Sequence, residues 1–457
     1  MNTAIIFNDD LESKIALMYK GILYKLIIER KKEKSYLGKI VKARIEKILK
    51  NLNVAFLDIG DDTKLFLDIN NFNKNDIIAN KEILVKIIED KDNNKQMKCT
   101  TECVLSGKYL NYIPNSKVFT FSKKIKDTNF KKHIYPSLKN ILEQNEGVII
   151  RNFAQNTAEE NIISELKFLK NEWSKISEKF LHAKVGDIIF SEDIFQKFLK
   201  DYDIEKFDEI YVDNEKNYNE ILSAHSVFLK NEDSKKFKIF RKEENVFCYF
   251  GIDKEIERSL KSRVDLSCGG NILIEKTEAF TSIDVNSANL KNSSVFEVNL
   301  EAAKVIANQI MLRNISGIIV IDFITTNNTK HKNQIKKIFL SEMSKDNLSI
   351  DNLSFDNLDL LIFTRKKTDK ELFKYFLKDE KGNEFSCEYI SLKIAREILE
   401  NSDENIKVIE ICTNENIISD IKKLYLNYLE NILKKKNKKL IFKKNNDKKN
   451  YEINFFV

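Results

Sequence analysis

The chain has 457 residues, of which 42% are hydrophobic and 32% are charged, and its formal net charge is +7. This length exceeds what one compact core supports, so about two to four domains are expected, and the composition is that of a globular protein with enough apolar residues for its cores. Six cysteines lie singly without a CxxC spacing, and no apolar run reaches membrane length, which predicts a reduced, cytoplasmic protein without a membrane segment.

The first predicted elements are short strands. Residues 1–37 alternate apolar and polar side chains, and residues 36–116 contain five further runs of the same kind. Five short strands that carry two aromatic residues at apparently exposed positions fit an OB-fold barrel. Such a barrel binds single-stranded nucleic acid by stacking bases beside basic residues.

A basic patch, Lys123, Lys124 and Lys126, precedes a more helical region that extends to about residue 200. Residues 147–151 read as a strand that leads into a helix, whose first turn holds Glu159 and Glu160. Acidic residues suit that position because they complement the positive end of the helix dipole.

Residues 269–324 carry the most informative pattern. Two β-branched runs, 272–275 and 279–286, predict a hairpin, residues 298–313 have helical spacing, and 318–324 resume as a buried strand. Asp284 is expected near the end of the hairpin's second strand, and Asp322 is expected inside the last strand.

An aspartate within an apolar strand is costly to desolvate unless a donor network, a cation or a metal ion compensates it. Asp284 and Asp322, on strands joined by one helix, can lie side by side. Mg²⁺ takes carboxylates together with water and phosphate oxygens, and such an ion stabilises charge on a phosphodiester during in-line attack. The alternative is that each aspartate caps a strand end or pairs with a nearby Lys or Arg.

The phrases GGNILIEKTEAFTSIDVNSA, NLEAAKVIANQI and GIIVIDFI together resemble the catalytic segment of the ribonuclease E/G family. Members of that family are bacterial endoribonucleases that cut single-stranded, AU-rich RNA and leave a five-prime phosphate. The resemblance implies that Asp284 and Asp322 hold a catalytic Mg²⁺ and that Asn286 assists. It also implies ribosomal-RNA processing and messenger-RNA decay, and the chain resembles the short, ribonuclease G-like type.

The same resemblance implies an α+β multidomain fold, in which an OB-fold RNA-binding barrel is inserted in an RNase H-like domain. A five-prime sensor region, a DNase I-like catalytic domain and a small C-terminal α/β domain complete it. The expected bounds are 1–37 and 204–260 for the two parts of the RNase H-like domain, 38–117 for the barrel, 118–203 for the sensor region, 261–366 for the catalytic domain, 367–386 for a linker and 387–457 for the C-terminal domain.

RNA-contacting residues are implied by the resemblance as well. Phe56 and Phe66 fall on the barrel's base-stacking positions and Lys95 on its basic contact, whereas the alternative is that both phenylalanines belong to the barrel core. Arg365 and Lys366 are expected to contact RNA phosphates, and the alternative there is an ordinary solvated loop.

The family's sensor reads a five-prime monophosphate through an arginine and a neighbouring threonine. Arg151 matches the arginine, but Asn152 stands in the place of the threonine, and the glycine-rich loop of the family is altered at residues 118–121. The alternative for Arg151 is an ion pair with a helix carboxylate.

Family members usually carry a CPxCxG motif, whose cysteines share a zinc ion across a dimer interface. This chain reads FKYFLKDEKGNEF in that place. A tetrahedral zinc site needs soft ligands, so no structural zinc is expected, and a homodimer or higher oligomer would use other contacts.

Two functions are compatible with these patterns. The first is an Mg²⁺-dependent endoribonuclease, and the second is an RNA-binding protein that keeps the fold without the chemistry. The joint presence of Asp284, Asn286 and Asp322 favours the first. A nucleotide-dependent enzyme is disfavoured because neither GxxxxGK nor GxGxxG occurs.

Overall fold

The computed structural model describes residues 1–457 except 34, 61–62, 71–77, 90–95, 225–228, 230–232, 288–293, 327, 346–347, 349, 357, 368, 380–383, 402–404 and 446–450. The described residues have a mixed α+β fold in two units. One unit comprises Met1–Glu33, Phe207–Glu220 and Lys235–Val457, and the other comprises Lys34–Lys206 and Ile221–Ser234. Within these described ranges, no helix has the length and apolar character that crossing a membrane requires.

The first unit begins with a five-stranded sheet in the order β15-β14-β1-β2-β3, in which β1 and β14 run parallel. Its strands are β1 (Asn2–Asn8), β2 (Glu12–Tyr19), β3 (Ile22–Arg30), β14 (Glu209–Val212) and β15 (Phe237–Ile239). Helix α4 (Glu215–Ala224) lies between β14 and β15 in the sequence, and α5 (Val246–Tyr249) and α6 (Ile252–Ser259) follow β15.

A six-stranded sheet of the same unit has the order β16-β17-β18-β19-β21-β20. Its strands are β16 (Arg263–Asp265), β17 (Asn271–Lys276), β18 (Thr281–Asn286), β19 (Gly317–Asp322), β20 (Ile350–Phe355) and β21 (Leu360–Arg365). The predicted hairpin is therefore present as β17 and β18, and the predicted buried strand is present as β19. Helix α7 (Val295–Leu312) connects the parallel strands β18 and β19, and α8 (Thr329–Met343) packs against α7.

Helix α7 starts three residues before the predicted position because Ser294 forms a capping box with Glu297. The apolar residues that recur at helical spacing along α7 are buried, which explains why this segment is a helix between two strands. They include Val298, Ala302, Ile306 and Ile310.

The C-terminal part of the first unit has a three-stranded sheet in the order β23-β22-β24. Its elements are α9 (Phe373–Phe376), α10 (Cys387–Asn401), β22 (Val408–Thr413), α11 (Glu415–Leu424), α12 (Leu426–Lys435), β23 (Lys439–Lys444) and β24 (Glu452–Phe456).

The second unit contains a closed five-stranded barrel. Strands β4 (Ile40–Leu49), β5 (Val54–Asp58), β6 (Lys64–Asp68), β8 (Met97–Thr100) and β7 (Glu82–Glu89) pair in that order, and β7 pairs with β4 to close the barrel. A closed barrel of five strands is consistent with the predicted OB-fold.

The rest of the second unit is a four-stranded sheet, in the order β11-β12-β10-β9, with helices against it. Its elements are β9 (Leu105–Ser106), β10 (Leu110–Pro114), β11 (Phe119–Phe121), α1 (Thr128–Lys139), β12 (Glu146–Ile150), α2 (Glu159–His182) and α3 (Ile194–Asp201). Strand β13 (Ile188–Phe190) pairs with β4 at the barrel. The division into RNase H-like, sensor and DNase I-like domains stays a prediction.

Candidate functional site

Asp284 and Asp322 are direct neighbours on β18 and β19. The parallel register pairs one with the other, so both side chains project from the same face of the sheet, about 4.8 Å apart across the strands. Both are exposed, whereas the flanking Ile283 and Ile321 are buried on the opposite face. The fold thus brings the two carboxylates side by side, as the sequence pattern predicted, while their catalytic role stays a prediction.

The Asp284 carboxylate affects the protonation of Asp322. Burial and the nearby Asp284 carboxylate raise the pKa of Asp322 above its ordinary value. Asn286 donates its Nδ2 hydrogen to Asp284 Oδ2 at 2.8 Å. Among the residues that the structure describes, no Lys or Arg forms an ion pair with either carboxylate, so the ion-pair alternative finds no support. Two adjacent negative charges of this kind favour a cation.

The donor set suits a hard divalent ion, because carboxylate oxygens are the ligands that Mg²⁺ prefers. In the described part of the chain, no group of three or more His, Cys, Asp or Glu side chains could hold a metal ion. An ion at this site would therefore rest on Asp284 and Asp322, with the other positions left to water and substrate phosphate, as is common for Mg²⁺.

Two polar side chains of helix α7 bind backbone groups, one just before β17 and the other just after β19. Asn299 is fully buried, and it donates to the carbonyl of Ile324 at 2.8 Å and accepts from the Ile324 N–H at 3.1 Å. Glu301 accepts from the backbone N–H groups of Ser267 at 2.6 Å and Cys268 at 3.1 Å. Sequence reasoning missed both residues. Their signal is a polar residue beside the apolar stripe of the phrase NLEAAKVIANQI.

Gly270 packs closely against the backbone of Asn286. A Cβ atom at Gly270 would lie 2.7 Å from the carbonyl oxygen of Asn286 and 3.2 Å from Val298 Cγ1. Real Cβ atoms do not approach a backbone oxygen so closely, so the turn before β17 needs glycine here. The second glycine of the GG motif thus sets the position of Asn286 relative to α7.

The row of residues through the aspartates crosses the sheet. The register aligns Arg263, Leu273, Asp284, Asp322 and Leu360. Arg263 therefore shares the open face with the aspartates, two strands or about 10 Å from Asp284. The exposed Arg263 guanidinium pairs with Asp265 Oδ1 at 2.9 Å, so a phosphate that bound there would compete with this carboxylate.

Arg365 and Lys366 lie far from the aspartates. Arg365 pairs with Gly317 at the opposite end of β19 from Asp322, about 17 Å along the strand. Arg365 is only 2% exposed, and its guanidinium donates to the carbonyl of Ile315 at 2.5 Å. It thus packs inside the unit, whereas Lys366 is exposed. The RNA contacts predicted for both stay predictions, and the burial of Arg365 does not favour its contact.

Phe56 and Phe66 face outward from the barrel. They oppose each other in the β5–β6 register, with ring centroids 6.3 Å apart in an edge-to-face arrangement. Both are partly exposed, while the residues that alternate with them on the two strands are buried in the barrel core. The alternative that both phenylalanines are core residues is therefore wrong.

Two lysines extend this row across the barrel. The register places Lys47 beside Phe56 and Lys98 beside Phe66. A pair of aromatic rings between two basic side chains is the arrangement that binds single-stranded nucleic acid. Sequence reasoning missed Lys47 and Lys98, and the predicted contact Lys95 lies outside the described residues.

Arg151 forms hydrogen bonds and an ion pair within its own unit. Its guanidinium donates to Asp201 Oδ1 at 2.8 Å, at the end of α3, and to the carbonyl of Gly107. The ion pair with a helix carboxylate, which was the alternative to phosphate sensing, is thus present. Asn152 begins a short 3₁₀-helix, Asn152–Asn156, directly after Arg151. Sensing by these two residues stays a prediction.

The loop that receives this guanidinium is fixed by a buried carboxylate. Glu165 of α2 accepts from the N–H groups of Lys108 at 2.6 Å, Tyr109 at 2.8 Å and Leu110 at 3.0 Å. Burial raises the pKa of Glu165 in spite of these bonds. A Cβ atom at Gly107 would collide with the same carboxylate, so a larger residue there would displace Glu165 from these hydrogen bonds.

The segment that replaces the cysteine motif is anchored to the N-terminal sheet of its own unit. Arg30 donates to the carbonyl of Tyr375, and Lys370 pairs with Glu33 at 3.2 Å. Arg30 and Lys370 outweigh the effect of burial and hold the pKa of Glu33 below its usual range. Arg30 and Glu33 therefore hold Tyr375 and Lys370 through charged contacts within this unit.

Comparison with known proteins shows which family this chain matches. The model of the ribonuclease E/G family matches residues 104–368, which include both aspartates. Ribonuclease G of Escherichia coli (strain K12) is 28% identical over 420 residues, which are 85% of this chain and 85% of that protein. Ribonuclease G of Haemophilus influenzae is 27% identical over 425 residues, with the same two shares. A ribonuclease E/G-like protein of Pyropia yezoensis is 30% identical over 403 residues, 83% of this chain and 77% of that protein.

Proposed function

We propose that this chain, which belongs to the ribonuclease E/G family and is an endoribonuclease, hydrolyses single-stranded, AU-rich RNA with the help of Mg²⁺. Its products would carry five-prime phosphates, and its tasks would be ribosomal-RNA processing and messenger-RNA decay in the cytoplasm. The observation that supports the proposal is the register that pairs Asp284 with Asp322 on the open face of one sheet.

In this proposal Asp284 and Asp322 hold the Mg²⁺ ion. When bound, the ion stabilises the negative charge that develops on the phosphodiester during attack by water. Asn286 orients Asp284 through its 2.8 Å hydrogen bond, and Arg263 binds a neighbouring phosphate. The contacts of α7 with the flanking backbone keep the two carboxylates in register.

RNA is bound in this proposal by the outer face of the barrel. Phe56 and Phe66 stack bases, while Lys47 and Lys98 neutralise phosphates. A terminal phosphate could be read by Arg151 and Asn152 only by replacing Asp201 as the partner of the guanidinium. Lys366 is a proposed phosphate contact away from the aspartates.

The proposal is tested with Asp284→Asn and Asp322→Asn. Each should lower cleavage of an AU-rich oligoribonucleotide by at least about a hundredfold, since a metal ion supplies several kcal/mol of charge stabilisation. RNA affinity, measured by fluorescence anisotropy, should be retained. Asp351→Asn, an exposed carboxylate on β20 of the same sheet, is the matched control and should cleave like the parent.

Failure of the parent to cleave this RNA with Mg²⁺ would contradict the proposal and favour the alternative, an RNA-binding protein without catalysis. We further propose that assembly does not depend on zinc. The molar mass from light scattering should then be the same with and without a zinc chelator, and a fall on chelation would show that a metal holds the assembly.

A further inference from the structure

Strand β11 and helix α1 form a surface with aromatic rings at its centre. Phe119 and Phe121 have ring centroids 5.7 Å apart. Tyr135 of α1 lies edge-on to Phe119 at 4.6 Å, and Lys131 lies over the ring of Phe121 at 5.7 Å. Tyr135 is 45% exposed. We call these four residues and the lysines around them the β11–α1 surface.

The surroundings of these rings are strongly basic. Residues 117–139 contain seven lysines and a single acidic residue, Asp127. The Asp127 carboxylate caps α1 by accepting from the N–H groups of Asn129 and Phe130, so it already has partners. The lysines are Lys117, Lys123, Lys124, Lys126, Lys131, Lys132 and Lys139.

Most of this positive charge is available to a ligand. Six of the seven lysines are exposed, and Lys131 is half-buried. None of the seven forms an ion pair with a carboxylate in the described ranges of the chain. A cluster of such cations attracts a polyanion, and the release of its counterions makes the attraction strong at low salt.

The aromatic rings narrow the choice of polyanion. Unpaired bases stack on exposed aromatic side chains, and this stacking tolerates any base sequence. The bases of a duplex are already stacked on each other and cannot use such rings. Since the chain is an endoribonuclease, a single strand of RNA is the polyanion that suits both the rings and the lysines.

We infer that the β11–α1 surface is a second binding site for single-stranded RNA, at which Tyr135, packed edge-on against Phe119, stacks a base and the lysines bind internal phosphates. The lysines are distributed from Lys117, just before β11, to Lys139 at the end of α1. The site therefore binds RNA equally well with a phosphate or a hydroxyl at the five-prime end. The inference uses the fact that the chain acts on RNA, but it does not depend on the proposed metal site.

The charge contribution is tested with Lys123→Gln, Lys124→Gln and Lys126→Gln combined in the full chain. Binding of a fluorescent single-stranded oligoribonucleotide is measured in chelator over a series of salt concentrations, and a denaturing gel checks that the oligoribonucleotide stays intact. Three lost phosphate contacts should reduce the slope of log affinity against log salt by about 2 and weaken binding at low salt about tenfold or more.

The matched control combines Lys167→Gln, Lys175→Gln and Lys179→Gln, three exposed lysines on α2 of the same unit. It removes the same charge and should change the slope by less than half as much. Equal slopes for the two triple variants would overturn the inference. Because binding is measured without metal, a defect in the proposed metal site does not affect this result.

The stacking contribution is tested with Tyr135→Ala and Tyr135→Phe. Loss of the ring should weaken single-strand binding about five- to a hundredfold, whereas Phe should restore it. A duplex of the same sequence should bind both variants alike. Parent-like binding by Tyr135→Ala would overturn the stacking role. A loss seen only with the five-prime-phosphorylated strand would overturn binding to internal phosphates.

Discussion

Asn299 holds Ile324 by both ends of its side-chain amide, donating to the carbonyl at 2.8 Å and accepting from the N–H at 3.1 Å. Asn299 is completely buried, so water cannot replace either bond. Ile324 lies two residues after Asp322, at the point where β19 ends. The helix that connects the two aspartate-bearing strands therefore also fixes the end of the second one.

This clamp predicts that Asn299→Ala impairs catalysis more than RNA binding. Loss of two buried hydrogen bonds should lower the free energy of unfolding by about 2–3 kcal/mol. The turnover number should fall at least about tenfold, because a shift of about 1 Å in a catalytic group has large effects. The turnover number is measured well below the melting temperature. The Mg²⁺ concentration for half-maximal rate is measured with it and should rise.

Asn308→Ala is the control for this prediction. Asn308 lies on the same helix and donates to the carbonyl of Leu23 at 2.9 Å, away from the aspartates. It should destabilise the chain without raising the Mg²⁺ requirement. An unchanged Mg²⁺ requirement in Asn299→Ala would mean that the clamp has a structural role alone.

The raised pKa of Asp322 predicts a pH-dependent effect of Mg²⁺ on stability. Burial and the Asp284 charge make the folded state bind the proton more tightly than the unfolded chain does. In chelator, stability should therefore fall as pH rises from the unfolded pKa through the folded one. If Mg²⁺ binds the ionised pair as proposed, it should raise the melting temperature near about pH 7.5 and progressively less on acidification.

Differential scanning fluorimetry with and without Mg²⁺ measures this effect. Asp322→Asn should lose the Mg²⁺ response at every pH. An equal response in Asp322→Asn and in the parent would place the ion elsewhere in the protein.

The contact between Gly107 and Glu165 predicts strong coupling between two substitutions. Gly107→Ala introduces a Cβ atom that collides with the Glu165 carboxylate, so we expect a loss of about 2–4 kcal/mol in the free energy of unfolding. In a Glu165→Ala background the collision is absent, and the same change should cost at least about 1 kcal/mol less. Urea unfolding of the four proteins in this cycle gives the coupling energy, and additive losses would refute the contact.

The row Lys47, Phe56, Phe66 and Lys98 predicts that Lys98 contributes to RNA binding by the barrel. Lys98→Gln should weaken RNA binding about three- to tenfold and reduce the salt slope by about 1. Phe56→Ala should weaken binding about five- to a hundredfold with little loss of stability, because its ring lies outside the core. Anisotropy titrations in chelator measure both effects. A larger effect of Lys95→Gln than of Lys98→Gln would favour the contact that the sequence predicted.

Much of the candidate site was predictable from local sequence. The hairpin, the helix after it and the strand with Asp322 follow from alternating and helical spacing of apolar residues, which any short window of the chain contains. The phrases around Asp284, Asn286 and Asp322 were enough to indicate the family. The start of α7 differed from the prediction because a capping box depends on two particular side chains, Ser294 and Glu297, and not on apolar spacing.

Sequence alone determined the strands of the barrel, the pair of aspartates and the lack of the cysteine motif. The tertiary structure decided the register that places Asp284 directly beside Asp322 and Lys98 beside Phe66. It also decided that Arg365 is buried, whereas Arg263 lies on the same open face as the aspartates. Periodicity encodes which way a residue faces within its own element, because that depends on neighbours a few positions away. Register and burial depend on partners tens of residues distant, and only the packed chain brings those partners together.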